Sequence, residues 1–226
     1  MTKKFTHDFL KPLEIKQINE SGVRHYLTPE GKRYPSVTTV LSAMSDKTGI
    51  LEWRRKVGEE KASQITGRAA ARGTKVHSLL EDYILNKDID LKKEMPVNVM
   101  LFNQVKAYID KHIDVVLGSE ISLYSDTLKT AGKCDLVCKL GDSIAVVDFK
   151  TSTNSKREEW IKNYFLQATT YALMLEERYN ITVPSFSIII AVENDNLQLF
   201  NGLTSDYKDE VNETFNSYHS KLIANR

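Results

Sequence analysis

The N-terminal 33 residues are mostly polar, and their turn residues predict local structure. Two turn signals, Glu20-Ser21-Gly22 and Pro29-Glu30-Gly31, predict a small hairpin at the end of this segment. A continuous apolar stretch from Val37 to Met44 follows. Ser36 stands directly before it, as an N-cap residue does, so the pattern predicts a short helix over 37–44.

Helical composition dominates the next part of the chain. It extends from about Leu51 to Leu85, and we expect either two helices or one bent helix with its break near Gly67. Further helices are predicted over about 97–116 and about 163–179. The last 20 residues predict a polar, amphipathic helix.

Two segments have the composition of strands. Residues 120–151 are rich in β-branched and alternating residues, which indicates a run of strands. The continuous apolar run Phe186–Val192 indicates a strand that is buried on both faces. Helices, a hairpin sheet, a helix and a buried strand together predict a layered α/β fold. We expect an N-terminal arm over residues 1–33 and a single domain over residues 34–226.

The predicted strands include a hairpin with an unusual charge pattern. Gly141-Asp142 is a two-residue turn signal between two alternating runs. Counting outward from this turn sets Asp135 opposite Asp148 and Lys133 opposite Lys150. These charges share one face of the hairpin. The other face is an apolar core face formed by Cys134, Leu136, Cys138, Ala145, Val147 and Phe149.

Two carboxylates that face each other, with Cβ atoms roughly 5 Å apart, repel and destabilise a hairpin. A divalent cation offsets this repulsion, and hard oxygen ligands suit Mg²⁺ or Mn²⁺. Lys150 would place a positive charge beside the cation, where it can orient an attacking water or stabilise charge on a phosphate. The alternative is a solvated face on which lysines neutralise aspartates. That alternative leaves the facing pairs unexplained, so we favour a metal site.

Composition narrows the possible partners. Lys and Arg number 31 and Asp and Glu 30, for a formal net charge of +1, so nucleic-acid contact requires a local patch. Two cysteines are too few to hold an iron–sulfur cluster by themselves. No apolar run is long enough to span a membrane. The first 30 residues resemble neither a secretory signal nor a transit peptide, so we expect a cytoplasmic protein.

The motifs of this chain resemble a known family. Asp135, the hairpin to Asp148-Phe149-Lys150, and the helical Gln167-Ala-Thr-Thr-Tyr171 are similar to the PD-(D/E)XK nuclease superfamily in its RecB-like branch. Arg72-Gly73-Thr-Lys-Val-His77 resembles the helical Gly-x-x-x-His motif of that branch. Over residues 34–220, the motif order is similar to that of exonucleases that maintain mitochondrial genomes and of their phage-encoded relatives.

The resemblance implies a fold and a set of site residues. The fold is a restriction-endonuclease-like core, with a mixed sheet flanked by helices and a helical N-terminal part. Asp135 and Asp148 would bind the catalytic metal, and Lys150 would act with them in catalysis. The main-chain carbonyl of Phe149 would be a further ligand, and His77 would complete the metal shell. One departure is Cys134, which stands where the superfamily's name has Pro.

Four other residues have possible supporting roles, each with a structural alternative. Glu81 could orient His77, or it is a solvated helix residue. Glu120 matches a family glutamate near the metal, or it is a charge that protects an edge strand. Gln167 could support Lys150 or a phosphate and Tyr171 could position the strand, or they are a core tyrosine with a polar neighbour.

Contacts with DNA are expected to be local. The DNA backbone is expected to contact four basic residues: Arg72, Lys156, Arg157 and Lys162. Four aromatic residues could stack on unpaired bases, although large aromatics are more often core: Tyr34, Trp53, Trp160 and Tyr164.

We therefore expect a monomeric Mg²⁺- or Mn²⁺-dependent deoxyribonuclease, an exonuclease that prefers single-stranded DNA with free ends and acts in DNA repair or recombination. A structure-specific or flap endonuclease is the nearest alternative. An inactive nucleic-acid-binding module is another, but intact Asp135, Asp148 and Lys150 argue against it. A magnesium phosphatase ranks last.

Overall fold

A computed structural model describes residues 3–20 and 22–224. In chain order, its strands are β1 (Thr6–His7), β2 (Lys16–Glu20), β3 (Val23–Leu27), β4 (Arg33–Pro35), β5 (Val115–Ser125), β6 (Thr130–Leu140), β7 (Ser143–Ser152), β8 (Ser185–Val192) and β9 (Gln198–Leu203). Its α-helices are α1 (Val37–Met44), α2 (Thr48–Val57), α3 (Glu59–Ile84), α4 (Pro96–His112), α5 (Lys162–Tyr179) and α6 (Thr204–Ala224).

The main sheet has the order β1-β5-β6-β7-β8-β9. It is mixed, because β1 pairs with β5 and β7 with β8 in parallel, whereas the other neighbours are antiparallel. Helices α3 and α4 cover one face, and α1, α5 and α6 cover the other. The predicted α/β class, with a mixed sheet flanked by helices, is confirmed. Among the described helices, none is both long enough and apolar enough to cross a membrane.

The N-terminal residues form a small sheet of their own. Strands β2, β3 and β4 are antiparallel neighbours, which confirms the predicted hairpin; Ser21 of its turn lies outside the described residues. Strand β4 crosses the expected boundary at residue 33, and β1 belongs to the main sheet. Residues 3–20 and 22–33 are thus integrated with the rest of the fold. The division into an arm and a domain stays a prediction.

Local signals fixed some helix boundaries better than others. The Ser36 hydroxyl accepts a hydrogen bond from the Thr39 N–H at 3.0 Å, which confirms the predicted N-cap. The expected break near Gly67 is wrong, because α3 continues through that residue. The break lies at Gly58, whose φ of +86° is a conformation that favours glycine and ends α2.

Candidate active site

The hairpin of β6 and β7 has the predicted register where it is paired. Pairing runs from Leu140 with Ser143 to Leu136 with Val147, and the registered pairs end there. Asp135 and Asp148 would be the next pair, so they lie where the ladder stops. The prediction that the two aspartates face each other therefore extends the strand pairing by one position beyond the last registered pair.

On its other side, Asp135 has an acidic neighbour from β5. Ser119 pairs with Leu136 and Ile121 with Cys134, which places Glu120 opposite Asp135. Glu120 has a φ of +50°, in the left-handed region that non-glycine residues seldom adopt. Such backbone conformations cost of order 1–3 kcal/mol and are concentrated at functional sites. The sheet is therefore irregular at the point where its acidic side chains meet.

The division of the hairpin into a charged and an apolar face is only partly correct. Val137 and Val146, on the face that carries the charges, are fully buried against the α5 side. Cys134 packs in this same core, whereas Leu136 and Cys138 pack on the α3–α4 side. The regular alternation is interrupted between residues 134 and 136, beside the irregular backbone of Glu120. Helices on both sides of the sheet bury both faces.

Helix α3 places His77 beside Glu120 and Asp135. One ligand atom each from His77, Glu120 and Asp135 lie within 4.8 Å of one another. His77 Nδ1 is 3.6 Å from Asp135 Oδ2, and the Phe149 N–H donates to that same oxygen at 2.9 Å. The Phe149 ring contacts the His77 ring edge-on, with centroids 6.3 Å apart. Residues far apart in sequence thus form one cluster.

Asp148 and Lys150 form a second, more deeply buried group. Only 1% of the Asp148 side chain is exposed, and its carboxylate forms an ion pair with Lys150. Apart from this ion pair, neither carboxylate oxygen has a hydrogen-bond partner among the described residues. Lys150 Nζ also lies over the ring of Tyr164, 5.0 Å from its centroid. A buried carboxylate with so few donors can accept a further cation.

Burial and neighbouring charges shift the pKa values of the three acidic residues at the site, Asp148, Glu120 and Asp135. Burial, together with repulsion from Asp135, raises the pKa of Asp148 to about 6, despite the attraction of Lys150. Burial also raises the pKa of Glu120, and the charge of Asp135 adds to that shift. The pKa of Asp135 is lowered, because His77, Lys150 and the Phe149 N–H outweigh the effect of burial.

The pKa values of the two basic groups, Lys150 and His77, are both raised. Burial disfavours the charged form of Lys150, but Asp148 and Asp135 outweigh it and raise its pKa. Burial likewise acts against charged His77, yet its contact with Asp135 raises its pKa. Without a bound cation, Lys150 is therefore an ammonium group, which donates protons in hydrogen bonds and does not accept them.

These donors fit a divalent metal ion. Carboxylate oxygens are the ligands that Mg²⁺ and Mn²⁺ prefer, and an imidazole is well suited to Mn²⁺. A cation among His77, Glu120 and Asp135 would also offset the repulsion between the Glu120 and Asp135 carboxylates. Ligation by Asp148 and by the Phe149 carbonyl stays a prediction.

A cavity of about 490 Å³ opens over this cluster. Seven predicted residues line it: His77, Glu81, Glu120, Asp135, Lys150, Gln167 and Tyr171. Gly132 lines it too, and a Cβ there would come within 2.8 Å of the Tyr171 hydroxyl, so glycine allows Tyr171 to approach. The structure thus brings these seven residues to one cavity, whereas Asp148 and Phe149 do not line it, and the roles of all of them remain predictions.

The cavity has a further wall that sequence reasoning missed. Gln17, Arg24 and Tyr26 come from β2 and β3, and Ser36 and Thr38 come from the start of α1. No local pattern in residues 16–27 points to a role beyond a hairpin. Their place at the site depends on how the small sheet packs against the main one.

The four residues expected to contact the DNA backbone do not line this cavity: Arg72, Lys156, Arg157 and Lys162. Arg72 forms an ion pair with Glu193 and borders a separate cavity. Lys162 forms an ion pair with Glu210, with 2.8 Å between Nζ and Oε1. Any DNA contact by these four residues would lie outside the cavity, and it stays a prediction.

The aromatic candidates are divided by burial. Tyr34 is buried and its hydroxyl donates to Asp126 at 2.6 Å, so the suggestion that it stacks on bases is wrong. Trp160 is 63% exposed and packs against the Arg157 guanidinium. Tyr164 contacts Lys150 and borders a second groove, which shares Thr38 and Gln167 with the main cavity.

Comparison with known proteins identifies a nuclease family. Residues 92–223, more than half of the chain, match the sequence model of the PD-(D/E)XK nuclease superfamily. Two relatives, from Xenopus tropicalis and Homo sapiens, are both named mitochondrial genome maintenance exonuclease 1. Each is 26% identical to this chain, over 172 and 174 residues respectively.

Both alignments cover 71% of this chain and 49% of the relative, so the chain spans about half the length of these relatives. A crystal structure of a provisionally named exonuclease from Eubacterium rectale superposes with a TM-score of 0.46 and 15% sequence identity. That superposition covers 71% of each chain.

Proposed function

This chain belongs to the PD-(D/E)XK nuclease superfamily, and from that premise we propose that it is a metal-dependent DNA exonuclease. It would hydrolyse phosphodiester bonds, preferentially in single-stranded DNA with free ends. The main observation behind this proposal is that the His77–Glu120–Asp135 cluster and the buried Asp148–Lys150 ion pair lie beside the same cavity. The names of the two relatives support an exonuclease in particular.

The metal would be held by His77, Glu120 and Asp135, together with Asp148. When bound, Mg²⁺ or Mn²⁺ supplies a Lewis acid that polarises a phosphoryl oxygen and lowers the pKa of water. The Phe149 N–H fixes the Asp135 carboxylate, and the Phe149 ring, nearly perpendicular to the imidazole, limits how His77 can turn. The protein therefore presents these ligands in a fixed arrangement.

Lys150 has a distinct task in this proposal. Lys150 lines the cavity, and its Nζ would donate a hydrogen bond to a phosphate oxygen and balance the charge that develops there. Asp148 holds the ammonium group in place through their ion pair. Gln167, which lines the same cavity, can donate to a second phosphate oxygen.

The shape of the cavity supports the preference for single strands. The N-terminal sheet, α3 and α5 all contribute to its lining, so the cluster lies inside a walled space. An extended strand with unpaired bases enters such a space more easily than a duplex does.

We further propose that the protein acts as a monomer in the cytoplasm.

Hydrolysis of end-labelled linear single-stranded DNA, beside a circular substrate of the same sequence, tests this proposal. With Mg²⁺ or Mn²⁺, we expect linear DNA to be degraded and circular DNA to persist. Lys150→Ala should abolish degradation, whereas Lys139→Ala, which removes an exposed lysine from the same hairpin, should leave it unchanged. Cleavage of circular DNA would indicate an endonuclease, and binding without cleavage in either metal would indicate an inactive module.

A further inference from the structure

The small N-terminal sheet is fixed against the candidate active site. The Ser36 N–H donates to the carbonyl of Arg24 at 3.1 Å, which ties β3 to the residue that caps α1. Tyr26, two residues along β3, is buried in a small core with Tyr124 and Ala131 of the main sheet. Side chains of β3 that face the cavity are therefore held in place.

Arg24 is the basic residue that this sheet contributes to the cavity lining. Its Nη2 donates to the Thr38 hydroxyl at 2.8 Å, so the guanidinium is oriented by a neutral group. Among the described residues, no carboxylate forms an ion pair with it. The two lysines that line the cavity are already paired, Lys133 with Glu120 and Lys150 with Asp148.

An unpaired guanidinium has the chemistry that a phosphate group requires. It has five N–H donors, of which one is directed at Thr38, and its planar shape matches two oxygens of a phosphate. The cavity also contains a cluster of carboxylates that would repel a polyanion. A positive charge on another wall would offset this repulsion and hold the strand.

We propose that Arg24, oriented by Thr38, binds a phosphate group of the substrate strand that flanks the one hydrolysed. The identity of the ligand as a nucleic-acid strand rests on the proposed function. Because Arg24 comes from an element separate from the catalytic strands, it acts in binding and positioning. The N-terminal sheet is then part of the substrate site.

Binding of a fluorescein-labelled single-stranded oligonucleotide, without divalent metal and over a series of salt concentrations, tests this assignment. We expect Arg24→Ala to bind about tenfold more weakly. The slope of log K against log salt should fall by about 0.7, the value for one phosphate contact on a single strand. Thr38→Val should weaken binding less, and Thr38→Ser, which keeps the hydroxyl, should restore it.

Arg33→Ala is the matched control. Arg33 lies on β4 of the same sheet, pairs with Glu20 and does not line the cavity. The Arg33→Ala variant should bind and cleave single-stranded DNA like the original protein. In cleavage assays, Arg24→Ala should raise KM about tenfold with little change in kcat, since the contact is made equally in the ground and transition states.

Unchanged affinity and salt slope in Arg24→Ala would overturn the assignment, and so would an equal loss in both arginine variants. If the original protein binds DNA with an Arg24-dependent salt slope but cleaves none, the exonuclease proposal fails and the phosphate site stands. If it cleaves DNA and Arg24→Ala is indistinguishable from it, the phosphate site alone fails.

Discussion

The buried carboxylate of Asp148 is expected to destabilise the metal-free protein at neutral pH. Its pKa is raised from 3.8 to about 6 by burial and by repulsion from Asp135, and the attraction of Lys150 does not cancel these effects. One pKa unit corresponds to about 1.4 kcal/mol, so ionising Asp148 in the folded state costs about 3 kcal/mol relative to the unfolded chain. Asp148→Asn removes this cost and keeps the shape of the side chain.

The sign of the pH dependence follows from the direction of the shift. Between about pH 4 and pH 6, the folded state keeps a proton that the unfolded state has released. The stability of the original protein should therefore fall, relative to that of Asp148→Asn, as pH rises through this window. Above about pH 6 the variant should be more stable by up to about 3 kcal/mol, and below about pH 4 the difference should vanish.

Urea denaturation followed by circular dichroism, with EDTA present and at several pH values, measures this difference. Asp142→Asn is the control, because it removes an exposed carboxylate from the turn of the same hairpin. Its effect should stay within about 0.5 kcal/mol at every pH. If Asp148→Asn proves less stable than the original protein above pH 6, the ion pair with Lys150 stabilises the fold by more than the burial of the Asp148 carboxylate costs.

Three further predictions concern packing, the metal site and a helix cap. Gly132→Ala should lower the free energy of unfolding by about 1–3 kcal/mol, because its Cβ would meet Tyr171. Gly73→Ala should raise the free energy of unfolding by about 0.5–1 kcal/mol, since there is space for a Cβ and alanine favours helix. Urea titrations that rank the two variants in the opposite order would contradict this. Glu120→Gln should weaken Mn²⁺ binding about tenfold or more in isothermal titration, and unchanged affinity would remove Glu120 from the site. Ser36→Ala should cost about 1 kcal/mol in thermal unfolding, and no loss would show that the cap does not matter.

The features that the sequence predicted well depend on local interactions. The Gly141-Asp142 turn sets the register of its own hairpin, and the pairing from Leu140 and Ser143 onward follows from it. The Ser36 cap likewise depends on neighbours within one turn of helix. Residues that define such short-range geometry can be recognised from their order in the chain.

Features that depend on tertiary structure were missed or misplaced. Gly58 and Gly67 both interrupt a helical pattern, but only Gly58 has a positive φ and ends a helix, whereas α3 continues through Gly67. Arg24 lies in an ordinary hairpin, so its place in the cavity follows from the contact between two sheets. Cys134 packs on the α5 side, in a strand whose neighbour has a left-handed backbone at Glu120, and the alternation of the sequence predicts neither feature.

We propose that a divalent cation among His77, Glu120 and Asp135 enables this chain to hydrolyse DNA. The most direct measurement is hydrolysis of linear single-stranded DNA after removal of metal with EDTA, then with increasing Mn²⁺, for the original protein and for Asp135→Asn. We expect no hydrolysis without metal, hydrolysis that rises with Mn²⁺, and none in the variant. Hydrolysis without added metal, or equal hydrolysis by the variant, would show that a cation at these residues is not required.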